Sequence, residues 1–129
     1  MPASAMPEAM NCGAEVAHLV SAILKVCPLD RYAVAAEMSR LTGKDVSKLM
    51  IDGWSSEARD NFNMPMYLVP AFECATETYE LTAWLAAKRG ARLYVGREAL
   101  IAGLGQLQAQ RDRLDRQVRE MKKKLGAER

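Results

Sequence analysis

The stretch SRLTGKDVSKLMIDGW, Ser39 to Trp54, holds the end of one helix, a tight polar turn and the start of a second helix. Gly43 supplies the left-handed residue that closes the first. The segment after it, Asp45 to Trp54, is apolar on two sides: Val46, Met50 and Trp54 line one flank, with Leu49 and Ile51 to either side. Its spacing therefore leaves open whether the second helix is aimed outward at a DNA groove or only packs into an α-helical core.

Upstream, Val16, Leu19, Val20, Ile23, Leu24 and Cys27 recur at the three- and four-residue steps of an amphipathic helix, and Pro28 stops it. His18 and Lys25 then face solvent. Asp30 is placed to cap the next helix by accepting from Tyr32 or Ala33, with Val34, Ala35, Met38 and Leu41 as its buried face. After Trp54 comes a polar loop, SSEARDNFNMP, whose Ser, Asp and Asn residues favour local side-chain bonds over helix. Pro65 or Pro70 opens a further helix anchored by Tyr67, Leu68 and Phe72. Thr78 caps a last one, with Leu81, Trp84 and Leu85 inward and Gly90 at its end.

From Leu100 the pattern changes. Leu104, Arg111, Val118 and Leu125 fall at one heptad position, a, and Leu100, Leu107, Leu114 and Met121 at the other, d. The flanking e and g positions from 108 onward are polar: Gln108, Gln110, Asp115, Gln117, Lys122 and Lys124. A stripe this narrow suits a partner helix better than a globular core. Arg111 is the one polar member, tolerable in a two-stranded coil because its guanidinium reaches solvent past the apolar contact. Gly103 and Gly105 weaken the first turns by about 1 kcal/mol each relative to Ala. The alternative is a tail folded back on its own domain.

These readings give an all-α protein: a bundle of about five short helices containing a helix-turn-helix, followed by a C-terminal coiled-coil helix. Residues 1–13 form a flexible leader, 14–90 the helical domain, 91–97 a linker or short strand hinged at Gly96, and 98–129 the oligomerisation helix. At 129 residues, half of them hydrophobic, the chain builds one modest core and an appendage. No basic start followed by an apolar run opens it, and no stretch reaches the length of a membrane helix. That predicts a soluble, cytoplasmic protein.

The net charge of +2 is unevenly spread. From Gln106 onward there are eight Lys and Arg against four Asp and Glu, whereas the remainder holds ten against twelve. The basic end, REMKKKLGAER, reads as the solvated face of a coil whose cations suit the helix C-terminus. Cys12, Cys27 and Cys74 are far apart and suggest neither a zinc site nor a disulfide framework. With a single histidine, no Gly-rich phosphate loop and no nucleophile beside a base, neither an enzyme nor a cofactor or metal is expected. Trp54, Trp84, Phe72, Tyr67 and Tyr79 are assigned to the core rather than to a ligand cage.

The small-residue helix AVAAEMSRLTG, its glycine turn and the short helix with Val46, Ile51 and Trp54 resemble the helix-turn-helix of Cro-like and phage CII-type regulators. The similarity continues through FNMPMYLVPAFECATETYELTAWLAAKRG, so that it covers about Leu29 to Gly90. The turn departs from the family pattern, since Lys44 and Asp45 stand where a single hydrophobic residue usually follows the glycine. In such regulators the second helix enters the DNA major groove. The resemblance implies double-stranded DNA as the partner, with Ser47, Lys48, Leu49 and Asp52 on the reading face and Lys44 in the turn. Lysine reaches guanine acceptors or phosphates, Ser47 a phosphate or base, and Leu49 a thymine methyl. Arg59, Asn61 and Asn63 are candidate phosphate contacts in the polar loop. A homodimer through Leu100, Leu104, Leu107, Arg111, Leu114, Val118, Met121 and Leu125 would bring two such heads to half-sites about one helical turn apart. Asp45, Asp52 and the slightly acidic head weigh against DNA, and an oligomeric protein-binding adaptor is the rival reading.

Overall fold

The computed structural model of the chain describes residues 8–127, among which six α-helices and two 3-10 turns follow one another without a strand. The chain divides after Arg92 into two units, a head and a tail. The head contains α1 (Gly13–Val26), α2 (Arg31–Thr42), α3 (Lys48–Trp54), α4 (Val69–Thr76) and α5 (Glu80–Lys88). The 3-10 turns, Glu57–Arg59 and Met66–Leu68, interrupt the path from α3 to α4.

Local chemistry sets the helix ends. Cys27, held extended before Pro28, closes α1, because a residue preceding proline is pushed out of the helical region. The Asp30 carboxylate accepts the Ala33 N–H at 2.8 Å and starts α2. Gly43, at φ +69°, ends it in the left-handed conformation that costs glycine nothing. Pro65 precedes the second 3-10 turn, and Pro70 occupies the first turn of α4, where its missing N–H is no loss.

The core draws Val20 and Ile23 from α1, Val34 and Met38 from α2, Ile51 and Trp54 from α3, Phe72 from α4 and Leu81 from α5. Burying each large aliphatic or aromatic side chain stabilises the fold by about 1.5–3 kcal/mol relative to leaving it in water. The packing has a clear order: α2 lies chiefly against α4 and then α3, while α1 packs on the Glu57–Arg59 turn and on α5. Among the described residues Glu73 is the one charged side chain that is buried, only 8% exposed. Its carboxylate accepts the Thr82 N–H at 3.1 Å and the Thr82 hydroxyl, so a buried acid on α4 satisfies a first-turn donor of α5.

Several sequence expectations are corrected here. Gly13, the last residue assigned to the leader, is the first of α1, and residues 1–7 of that leader lie outside the described residues. The helix expected from Asp45 begins at Lys48, because the Ser47 side chain takes the cap position by accepting the Met50 N–H. Leu41 and Leu85 are exposed rather than inward. Trp54 and Phe72 are core residues, but Tyr67 and Tyr79 are exposed, and Trp84 is half-buried with its indole N–H donated to Glu15 at 3.2 Å. Residues 91–95 carry no strand, which leaves the linker.

The tail is α6 (Arg97–Ala127), preceded by Gly96 at φ +60°. None of its described residues is buried, and the heptad residues from Leu100 to Leu125 are all exposed.

One close approach fixes the head's periphery. A Cβ on Gly13 would stand 2.1 Å from the Asp60 carbonyl oxygen, and the Asn63 amide donates to the Gly13 carbonyl at 3.0 Å. Backbone lies against backbone with no flexible side chain to yield. Gly13→Ala is therefore expected to cost about 1–3 kcal/mol, the usual cost of overpacking, read as a lower midpoint in urea denaturation with an unchanged slope.

Candidate functional site

Ser39 pins the turn between α2 and α3. Its hydroxyl accepts the Val46 N–H at 2.9 Å and lies 2.9 Å from the Ala35 carbonyl, to which it donates. The Gly43 N–H meanwhile returns to the Ser39 carbonyl at 3.0 Å. Val46 is thereby drawn under the turn and buried, and the rotation of the helix that follows is set by the chain itself.

That rotation answers the ambiguity of α3. Ile51 and Trp54 go into the core, Gly53 is covered by Phe62 and Arg59, and Leu49 is left 81% exposed. Lys48 leads the helix and Asp52 follows one turn later, their ammonium and carboxylate 2.8 Å apart. Arg31, from the first turn of α2, completes the group by donating to Asp52 at 2.7 Å and to the Ser55 hydroxyl at 2.8 Å. Two cations around one carboxylate leave a net positive charge on this flank of a slightly acidic head.

Aromatic rings hold the lysines as well. Lys48 Nζ lies 5.5 Å from the centre of the Tyr32 ring and Lys44 Nζ 5.0 Å from that of Tyr67, both within cation–π range. On the Leu49 side of α3, Gly53 stands one turn after Leu49. There Arg59 reaches in, with a guanidinium nitrogen 3.1 Å from where a Gly53 Cβ would be, while its guanidinium stacks at 4.3 Å over Phe62. Outward, α3 thus presents Lys48 and Leu49, with Arg59 alongside at Gly53 and Asp52 as the carboxylate that orders Lys48 and Arg31, while Lys44 lies over Tyr67 at the turn.

The remaining candidates divide. The Ser47 hydroxyl is engaged as the α3 cap, accepting from Met50 at 3.2 Å, though its own proton is still available to donate. Asn63 is spent on the Gly13 carbonyl and belongs to the scaffold. Asn61 is exposed at the tip of the loop. Arg31, Tyr32, Tyr67 and Ser39 were missed by sequence reasoning. The signal for the first two was their place just after the Asp30 cap and off the Val34–Met38 stripe, but Tyr67 and Ser39 act across the fold and carried no local sign.

Beside this surface runs a shallow groove of about 450 Å³ lined by Leu41, Lys44, Tyr67, Leu68, Pro70 and Cys74, among others. His18, on the α1 side, pairs with Glu57 at 2.7 Å with both side chains well exposed, a surface contact. Among the described residues no three His, Cys, Asp or Glu side chains gather as metal ligands, and no helix is long and apolar enough to cross a membrane. The chain matches no protein-family model, no curated protein and no solved structure.

The Asp52 carboxyl is held below the ordinary carboxylate range, first by its hydrogen bond from Lys48 and then by that from Arg31; Lys48 is raised in turn by Asp52. An acid with a depressed folded pKa contributes stability above its unfolded pKa and loses it as the pH falls through the folded value. Asp52→Asn is accordingly expected to melt below the parent protein at neutral pH. The two melting temperatures, followed by circular dichroism, should converge as the pH drops below about 4, where the unfolded carboxylate is itself protonated.

Proposed function

We propose that this chain is a sequence-specific DNA-binding transcriptional regulator of phage or prophage type, acting in the cytoplasm as a coiled-coil dimer. The observation that carries the reading is the outward face of α3, where a capped short helix holds Leu49 81% exposed among cations while its opposite side is locked into the core. Leaving a large aliphatic side chain in water on a rigid helix gains nothing for the fold. It suits contact with a thymine methyl group, which is read by apolar side chains in the major groove.

The surrounding residues then take complementary roles. Lys48 and Lys44 reach guanine acceptors or phosphates, the Ser47 hydroxyl donates to a phosphate oxygen, and Arg59 and Asn61 extend the contact along the backbone. Asp52 orients Lys48 and Arg31 rather than meeting DNA itself. One head of this size makes few base contacts, and pairing through α6 gives the dimer two heads.

The rival reading, a protein-binding adaptor, is favoured by the groove beside α4, where the exposed Leu41 and Tyr67 offer apolar surface to a peptide. Selection of bound duplexes from a random pool, followed by affinity measurements at several salt concentrations, separates the two. The DNA reading expects an enriched repeat and affinity that falls steeply with salt. Lys48→Ala should weaken binding with the fold intact and lower the salt slope by about 1 if it meets a phosphate. Leu49→Ala should relax the preference at a thymine, and the pair Leu114→Asp and Val118→Asp should leave a monomer with reduced site affinity. No enrichment, with only weak binding that vanishes when the basic tail is deleted, would replace this reading with the adaptor.

A further inference from the structure

We infer that α6 pairs with α6 of a second copy in antiparallel orientation, a proposal that rests on the coiled-coil reading above and gives it a direction. Charge is unevenly distributed along the helix. From Arg97 to Gln110 the charged residues are Arg97 and Glu98. From Arg111 to Ala127 there are seven cations, Arg111, Arg113, Arg116, Arg119, Lys122, Lys123 and Lys124, against three acids, Asp112, Asp115 and Glu120. One half of the helix is neutral and the other strongly basic.

A parallel, in-register pair lays the two basic halves side by side. It also sets Arg111 against the partner's Arg111 at the contact, where Asp112, 3.9 Å away and itself well exposed, compensates little. Paired helices lie about 8–10 Å apart, about one Debye length at physiological salt, so this repulsion is weakened but persists. Antiparallel pairing places each basic half along the partner's neutral half.

The apolar register fits that arrangement over the whole helix. In antiparallel coils an a residue packs beside a d residue, and here one alignment satisfies every heptad member. Leu100 meets the partner's Leu125, Leu104 the partner's Met121, Leu107 the partner's Val118, and Arg111 the partner's Leu114. On the flanks, Gln108 faces the partner's Asp115 and Gln110 the partner's Gln117. Gly103 faces the partner's Lys124, and since open space surrounds the position a Gly103 Cβ would take, the lysine stem has room to lie across the bare backbone.

The heads join at the N-terminal ends of α6, and antiparallel pairing puts those attachment points at opposite ends of the coil. For 31 residues that is about 45 Å. Half-sites for such a dimer are spaced by more than the single helical turn that suits two heads held side by side.

The test uses the full chain with the photoreactive residue p-benzoylphenylalanine in place of Gln108 or, separately, Gln117. After irradiation, the captured residue is mapped by mass spectrometry, and sedimentation gives the oligomeric state of the same samples. Antiparallel pairing expects capture near the partner's Asp115 from position 108 and near the partner's Gln110 from position 117. Capture near the partner's Gly103 and Lys122 means a parallel coil and overturns the proposal while keeping the dimer. A monomer at every concentration, or a dimer captured nowhere on α6, overturns the proposal together with the coiled-coil reading. None of these outcomes depends on whether the protein binds DNA.

Discussion

The head is organised around the turn that Ser39 closes. A single hydroxyl there accepts the N–H of Val46 and donates toward the carbonyls of Ala35 and Val46, so the chain leaves Gly43 in one direction and α3 starts at one rotation. With that rotation set, Ile51 and Trp54 complete the core, Asp52 meets Arg31 across from α2, and Leu49 is left facing out. A slip of one residue in the turn would exchange buried and exposed positions on α3, since each residue turns a helix through about 100°. The outward surface is thus a product of the same hydrogen bonds that seal the core beneath it.

Much of this was legible in the sequence because it is local. The α1 stripe, the Asp30 cap, the Gly43 and Gly90 stops and the long heptad are all written within a few turns of one helix, where periodicity and capping rules apply directly. What was not legible depends on residues brought together from a distance. The pairing of Glu73 with the start of α5 cannot be seen in either segment alone, and a glutamate in the middle of ECAT looks like a surface residue. Tyr67 and Leu41 read as core residues by type, yet the packing of α2 on α4 leaves both at its edge.

The candidate site shows the same division. Lys48, Leu49 and Asp52 were found because spacing on one short helix groups them, and Arg59 was found by its charge in a polar loop. Arg31 and the two tyrosines entered only with the fold. They change the meaning of the lysines, which are not free tethers but side chains held by rings and a carboxylate, with less conformational freedom to lose when a ligand is met.

The tail differs in kind from the head. A helix of 31 residues with none buried has only its intrinsic propensity to keep it wound when alone, and Gly103 and Gly105 tax that propensity near its start. In the proposed dimer, association would supply the missing burial, so that winding and pairing would become one equilibrium governed by mass action. The concentration of the protein would then decide how much of the tail is wound. In the proposed dimer, a tail at low concentration would be more open to proteases than one at high concentration, and the level of the protein would carry a threshold set by its last helix.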